Sequence, residues 1–199
     1  MKPLIALIAL GLAGCASAQP ASTGGIVSTN PCSDQLLLAL APGKVTAISH
    51  YSQEPGATSI PIGLARRYRA TAGTAEEVIA LKPDLVVASS FTPKTTLAAY
   101  RRAGLKVLTL DSPTNVAASR DQIRSVAAAV GESAAGERLI ARIDRAVADA
   151  APRDGRRPAT LLYISDSFAN AGSSLLTEMV GLAGLGDASK DFGLAFSGN

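Results

Sequence analysis

Short β-type segments alternate with helical segments from Ile26 to Leu110. A chain that alternates in this way builds a parallel sheet whose strands are joined by crossover helices. The β-type segments are rich in valine, isoleucine and leucine, which is typical of strands covered on both faces. We therefore predict an α/β lobe over residues 25–115, with strands at residues 26–28, 45–48, 85–88 and 107–110.

Capping residues indicate where the helices of this lobe begin. Either Asn30 or Ser33 can cap the first helix, and Thr74 with Glu77 forms a capping box for a later one. Thr92 is expected to cap the next helix, since the proline that follows it suits the first helical position. These signals separate the strands by helices, as a crossover topology requires.

The pattern changes after Asp111. Two helices are predicted, one over residues 116–130 and a longer one from Ser133 to about Ala150. The longer helix has a narrow apolar stripe and charged residues elsewhere, so it should pack on one side only. We assign residues 116–151 to helices that include a rigid connection between two lobes.

A second α/β lobe is expected to begin at residue 158, with a strand over residues 160–165 and a helix over residues 173–182. Residues 158–199 amount to roughly forty, too few to build a stable lobe without disulfides or a metal. We therefore predict two Rossmann-like α/β lobes with parallel sheets, the second of them incomplete.

The first 18 residues read as a signal peptide for export. Lys2 precedes an apolar run from Leu4 to Leu12 that is too short to span a bilayer. Two processing sites are open: cleavage after Ala18, or a lipobox whose Cys15 would carry lipid. The expected location is the periplasm, with the protein either soluble or lipid-anchored through Cys15. In both cases Cys32 has no internal disulfide partner.

Composition excludes several classes of protein. The net charge is only +3 and the sequence contains no tryptophan, so a nucleic-acid partner is not expected. One histidine and two cysteines cannot build a histidine-rich or four-cysteine metal centre, which also argues against a zinc or manganese carrier. We predict neither a protein-held metal nor a resident cofactor.

Polar and aromatic residues follow the predicted strands. Ligands of open parallel sheets bind at the carboxyl ends of the strands. Taken singly, each of these residues could simply cap a helix or close a turn. Together they suit recognition better than catalysis. The candidate ligand-binding residues are Asn30, Cys32, His50, Tyr51, Ser90, Phe91 and Asp111 from the first lobe, with Asp166 and Phe168 from the second.

Catalytic motifs of the common hydrolases and nucleotide-binding enzymes are absent from the sequence. A secreted hydrolase would need His50 as its base, with Cys32 or a nearby serine as its nucleophile. Cys32 is better explained as a small residue buried beneath the loop. We expect no enzymatic activity.

Three segments resemble a known family. They are Ile26–Gln35, Val45–Tyr51 and above all Ala75–Ala88, which contains the phrase E-x-[VI]-x-x-L-K-P-D-L-V. In these segments the chain is similar to the class III periplasmic binding proteins that serve ABC importers of cobalamin, iron-siderophores and haem. The resemblance extends from about residue 25 to residue 185. It implies two α/β lobes joined by a rigid helix, with a bulky ligand held between them.

The resemblance also implies partners and roles. Glu76 corresponds to the acidic residue that docks on an arginine pocket of the permease, and a second docking glutamate should follow residue 199. Tyr51 and His50 fall on the loop that contacts ligand. The expected partners are a metal chelate, with cobalamin or an iron-siderophore ahead of haem, and an ABC permease in the inner membrane. We expect a monomer. A haem carrier and a ligand sensor without transport remain as alternatives.

Overall fold

The computed structural model describes residues 24–152, 155–165 and 168–194. The predicted signal peptide with Cys15, and the candidate residue Asp166, lie outside these ranges. Within the described residues, no helix combines the length and apolar character that crossing a membrane demands.

The first lobe contains the strands β1 (Ile26–Ser28), β2 (Val45–Ser49), β3 (Arg69–Thr71), β4 (Leu85–Ser89) and β5 (Val107–Leu110). They form one sheet in the spatial order β3-β2-β1-β4-β5. All neighbouring strands are parallel, so their carboxyl ends lie at one edge. The chain order reverses between β1 and β4, which is the topological switch point where such sheets bind ligands.

Helices cover both faces of this sheet. Leu37, Val87 and Val126 belong to the core on one face, and Val78 and Tyr100 belong to the core on the other. All five side chains are fully buried, so water does not reach either face of the sheet at these positions. The helices are α1 (Pro31–Leu40), α2 (Ile62–Ala65), α3 (Ala75–Leu81), α4 (Lys94–Arg102), α5 (Val116–Ala129) and α6 (Ser133–Ala150).

The Leu81–Asp84 part of the family phrase forms the turn from α3 into β4. Lys82 adopts the left-handed conformation, with φ of 47°, and its N–H donates to the carbonyl of Ile79. A proline follows, which cannot continue the helix. The carboxylate of Asp84 then accepts a hydrogen bond of 2.7 Å from the amide of Gly25. The phrase therefore ends a helix and holds the start of β1.

Helix starts follow the predicted caps in two cases out of three. Asn30, and not Ser33, caps α1, and Thr74 caps α3. The prediction for Thr92 is wrong, because α4 begins behind Pro93 without any side-chain cap. The short strand β3 and the single-turn helix α2 were not predicted, since neither has a clear hydrophobic period.

The long helix α6 is unbroken from Ser133 to Ala150 and lies against α5. Gly136 permits this close packing, because a Cβ there would lie 2.6 Å from the Cβ of Ala127. Arg120 and Asp144 form an ion pair of 2.7 Å between the two helices. A connecting helix held along its side in this way is a stiff link between lobes.

The described part of the second lobe comprises α7 (Leu175–Leu182) and two short ladders. β6 (Ala159–Thr160) pairs in parallel with β9 (Gly186–Asp187), whereas β7 (Tyr163–Ser165) pairs in antiparallel fashion with β8 (Phe168–Ala169). The predicted single strand over residues 160–165 is therefore two strands in separate sheets. Large apolar side chains stay exposed here, among them Tyr163, Ile164, Leu176, Met179 and Phe192.

Candidate functional site

The carboxyl edge of the five-stranded sheet collects the candidate residues of the first lobe. They follow β1, β2, β4 and β5, and the parallel register brings those four strand ends together. Phe168 lies in β8, but its side chain is outside the described part of the chain. The first-lobe candidates on this edge are Asn30, Cys32, His50, Tyr51, Ser90, Phe91 and Asp111.

Two aromatic rings are presented at this edge. Phe91 is 80% exposed and Tyr51 is 51% exposed. The Tyr51 ring also lies beside the ring of His50, with centroids 4.0 Å apart. Leaving such rings in water is costly unless something covers them, so they form a surface suited to the flat or bulky face of an organic ligand.

The imidazole of His50 is oriented by the neighbouring strand. Its Nδ1 lies 3.3 Å from the carbonyl oxygen of Thr71, which can only accept, so Nδ1 is the donor in this hydrogen bond. Nε2 lies 4.0 Å from a carboxylate oxygen of Glu54. When the ring is neutral, Nε2 therefore keeps its lone pair.

The remaining first-lobe candidates divide between structural and exposed positions. The Asn30 side chain caps helix α1 by accepting a hydrogen bond of 2.9 Å from the amide of Cys32. Ser90 and the Asp111 side chain are exposed. Cys32 is also exposed, so the expectation that it is buried is wrong. It is the second residue of α1, where the helix starts at the surface.

A buried polar cluster lies beneath His50 and Tyr51. The Oδ2 atom of Asp34 accepts hydrogen bonds from the Ser49 amide at 3.0 Å and from the Ser52 hydroxyl at 2.6 Å. Burial raises the pKa of Asp34 to about 6, against the opposing effects of Ser28, Ser52 and the Ser49 amide. Sequence reasoning missed this cluster, because an aspartate in the first turn of a helix looks like an ordinary dipole partner.

Glu76 and Glu77 are neighbours in sequence but differ in environment. The Glu77 carboxylate turns back to accept hydrogen bonds from the Thr71 hydroxyl at 2.8 Å and the Ala72 amide at 2.7 Å. Glu76 is exposed and makes no hydrogen bond or ion pair with the described residues. Both residues are exposed, but only the Glu77 carboxylate is tied to the fold by hydrogen bonds, and Glu76 is a free surface charge.

A groove of about 530 Å³ adjoins Glu76 at the switch point. Gly73 lines this groove, and its carbonyl accepts a hydrogen bond of 2.5 Å from the phenol of the buried Tyr100. Burial, then the charges of Glu77 and Glu76, raise the pKa of Tyr100 to about 12, so the phenol stays protonated as a donor. Five threonines line the groove, namely Thr29, Thr74, Thr92, Thr95 and Thr96.

The lobes are joined by a hydrogen bond as well as by the chain. A carboxylate oxygen of Glu178, in α7, accepts from the Val116 amide at 2.6 Å. Val116 is the first residue of α5, so the negative charge also meets the positive end of that helix dipole. A cavity of about 550 Å³ adjoins this contact and is lined by residues of both lobes, including Asn115, Ser174 and Lys190.

Replacing Glu178 by alanine is expected to loosen the second lobe. The change leaves the amide of Val116 without its acceptor, and a hydrogen bond to a charged group contributes about 1.5–3 kcal/mol. Hydrogen exchange of peptides from residues 168–194 should speed up by about tenfold or more. Glu178→Gln, which keeps an acceptor oxygen, should recover part of the protection. Equal exchange in all three proteins would mean that the contact does not hold the lobes.

Among the described residues, no three His, Cys, Asp or Glu side chains converge on a point that could hold a metal ion. The arrangement suits recognition of a preassembled complex through aromatic faces, hydroxyls and one imidazole.

Solved structures share this fold. The periplasmic haem-binding protein RhuT from Roseiflexus sp. RS-1 is 25% identical, with a TM-score of 0.69 over 88% of this chain and 70% of that chain. The haem-binding protein HutB of Vibrio cholerae is 17% identical, with a TM-score of 0.72 over 88% and 69%. The vitamin B12-binding protein BtuF of Vibrio cholerae is 19% identical, with a TM-score of 0.62 over 83% and 66%.

These structures confirm the predicted class, two α/β lobes joined by a long helix, and the chain spans only part of their length. A search of curated proteins finds no match. The family profile described as periplasmic binding protein matches residues 26–193, which is most of the chain. The chain therefore belongs to the periplasmic binding protein family, the substrate-binding components of ABC importers.

Proposed function

We propose that this protein captures an intact metal chelate, cobalamin or an iron-siderophore, in the periplasm and delivers it to an ABC permease. The carboxyl edge of the five-stranded sheet would form the first-lobe wall of the binding cleft. The second lobe would supply the opposite wall.

The observation that carries this proposal is the pair of exposed aromatic rings, Tyr51 and Phe91, on an edge that otherwise offers hydroxyls and one imidazole. A chelate brings its own metal and its own chemistry, so the protein needs only a shaped and partly polar surface. Aromatic faces bury a large area against a macrocycle or a catecholate at small cost in side-chain entropy.

Titration of the purified chain with cyanocobalamin, a ferric siderophore and hemin tests the proposal. We expect saturable binding of one of the first two, weakened about tenfold or more by Tyr51→Ala, since that change removes a stacking face worth about 1–3 kcal/mol. Tyr68→Ala is the matched control, because Tyr68 is half-buried and packs on another part of the lobe. Equal weakening by both variants, or no binding of any chelate, would contradict the proposal.

Haem is a second candidate, and the geometry of His50 favours it. A metal-bound histidine commonly donates its other N–H to a carbonyl, as His50 Nδ1 does to Thr71. Nε2 of His50 or the phenol of Tyr51 would then ligate the haem iron. A shift of the Soret band on adding hemin, lost in both His50→Ala and Tyr51→Phe, would identify haem and reverse the order of the candidates.

Delivery is proposed to use Glu76. It is the free acid of the Glu76–Glu77 pair and stands at the rim of the threonine-lined groove. A single exposed carboxylate at the start of a helix can pair with a guanidinium of the permease. The periplasmic location and the permease partner follow from this proposed role in import.

A further inference from the structure

We propose that the amino edge of the first-lobe sheet is a docking surface for a bilayer that contains anionic phospholipids. The amino edge is the edge at which the five parallel strands begin, and it lies opposite the carboxyl edge with its candidate ligand-binding residues. The inference does not depend on which ligand the protein carries, and its test contains no ligand.

Basic side chains gather at the amino edge because each stands in a segment that leads into a strand. In a parallel sheet, all such segments lie at the same edge. The seven residues concerned are all exposed. They are Lys44 before β2, Arg66 and Arg67 before β3, Lys82 before β4, and Arg101, Arg102 and Lys106 before β5.

Contacts between these segments show that they converge. The phenol of Tyr68, just before β3, donates a hydrogen bond of 3.4 Å to the carbonyl of Pro42, which precedes β2. A groove of about 500 Å³ crosses the edge, and Lys44, Asp84 and Lys106 all line it. The amino edge is therefore one continuous surface with a recess in it.

The acids at this edge do not neutralise the basic side chains. The carboxylate of Asp84 is occupied by the amide of Gly25, and Glu132, in the turn between α5 and α6, pairs with Lys44 at 2.7 Å. The side chains of the other six basic residues form no ion pair or hydrogen bond with any described residue. Clusters of about four to eight Lys and Arg side chains are typical of surfaces that bind anionic lipids.

Helix dipoles account for part of this pattern. Lys82, Arg101 and Arg102 stand at the ends of α3 and α4, where a positive charge is favourable. Lys106 has no such role, and the Arg66–Arg67 pair follows only the single turn of α2. The excess of positive charge is thus larger than the needs of the helices explain.

The carboxyl edge has the opposite sign of charge. Exposed acids outnumber the basic residues in the segments that follow the strands. These acids are Glu54, Glu76, Glu77 and Asp111. The lobe is therefore electrically polarised along its strands, so an anionic surface attracts the amino edge and repels the carboxyl edge. A protein bound in this orientation keeps its candidate ligand-binding residues in the solvent.

The chain also enters the fold at the amino edge. Gly24 and Gly25 line the same groove as Lys44 and Lys106. Cys15 lies nine positions before Gly24, so a lipid on Cys15, one of the two processing outcomes that the sequence leaves open, would bring a bilayer within about 30 Å of this edge. A lipid chain and a basic surface on the same side of a protein reinforce each other.

Cosedimentation of the purified Cys15→Ser chain with vesicles tests the docking surface, because this chain cannot carry lipid. At low ionic strength, we expect at least about tenfold stronger partition into vesicles of phosphatidylglycerol and phosphatidylcholine than into phosphatidylcholine alone, since each Lys or Arg near an anionic surface contributes about fivefold. The difference should shrink as salt is added. Equal partition into both vesicles, or into neither, would exclude the bilayer as the partner of this edge.

Paired variants locate the effect. Arg101→Gln with Arg102→Gln should weaken partition into the anionic vesicles about tenfold or more. Arg142→Gln with Arg145→Gln is the matched control, because both arginines are exposed and unpaired among the described residues but lie on α6. Equal weakening by the two pairs would overturn the inference. The vesicle and salt comparison of the parent chain decides the matter even if a variant does not fold.

A fluorophore quenched by labelled lipid reports which edge contacts the bilayer. Cys32 is exposed at the carboxyl edge and is the only cysteine of the Cys15→Ser chain, so a fluorophore there should stay unquenched on vesicle binding. Gly43 lies at the amino edge, and nothing lies within 4 Å of the position of an added Cβ. A fluorophore on Gly43→Cys, in a chain with both native cysteines replaced by serine, should be quenched several-fold. Stronger or equal quenching at Cys32 would contradict the proposed orientation.

Discussion

Replacing Glu76 by lysine is expected to reduce import at least tenfold while leaving chelate binding by the purified chain unchanged. The carboxylate is exposed and unpaired among the described residues, so its loss should cost the fold little. A lysine would face the proposed guanidinium pocket of the permease with like charge, and such juxtapositions cost several kcal/mol. Uptake of the labelled chelate by cells that carry the permease measures the effect.

Two controls make this result specific. Asp149→Lys introduces the same charge reversal on the exposed side of α6, and import should be unaffected. Glu77→Gln should instead lower stability, because the Glu77 carboxylate accepts hydrogen bonds from the Thr71 hydroxyl and the Ala72 amide. Normal import by Glu76→Lys would show that Glu76 is not part of the docking surface. Weakened chelate binding by the purified variant would place it in the ligand site instead.

The second large effect is a pH-dependent loss of stability that depends on Asp34. The pKa of Asp34 rises from 3.8 to about 6 on folding, so the folded state holds this proton more tightly than the unfolded state. The resulting stabilisation is fully present below about pH 4 and is lost as the pH rises through 6. A shift of that size corresponds to roughly 3 kcal/mol.

Denaturant unfolding at several pH values, compared between the wild type and Asp34→Asn, isolates this contribution. The difference in unfolding free energy between the two proteins should change by up to about 3 kcal/mol between pH 4 and pH 7.5. The wild type should lose stability relative to Asp34→Asn as the pH rises. A parallel pH dependence in the two proteins would contradict the raised pKa. Ionised Asp34 therefore lowers the stability of the folded state relative to protonated Asp34.

The sequence was sufficient to predict that the residues after the strands share one edge of the sheet, because that placement depends on topology alone. Once β1, β2, β4 and β5 were predicted to be parallel, His50, Tyr51 and Phe91 had to share an edge. The role of Asn30 as a cap was also within reach, since its side chain bonds only two residues along the chain. Such local signals need no knowledge of distant contacts.

Other features left no trace in the local pattern. β3 is a three-residue edge strand with two exposed residues, so it shows neither an apolar run nor a regular alternation. Glu178 and Val116 are separated by 62 positions, and nothing near either residue indicates their contact. The exposure of Cys32 could not be predicted, because small residues near the start of a helix occur both in the core and at the surface.

By itself, the sequence determined the α/β alternation, the long connecting helix and the group of polar and aromatic residues at one sheet edge, because hydrophobic period and capping act over a few neighbouring residues. Only the tertiary structure decided the environment of each acid. Glu76 is free, Glu77 accepts hydrogen bonds from the end of β3, and Glu178 accepts one from the start of α5. Asp34 is buried beneath the His50–Gln53 turn. The reason is that the charge, pKa and partners of a carboxylate depend on the water and the donors around it, and distant segments supply both.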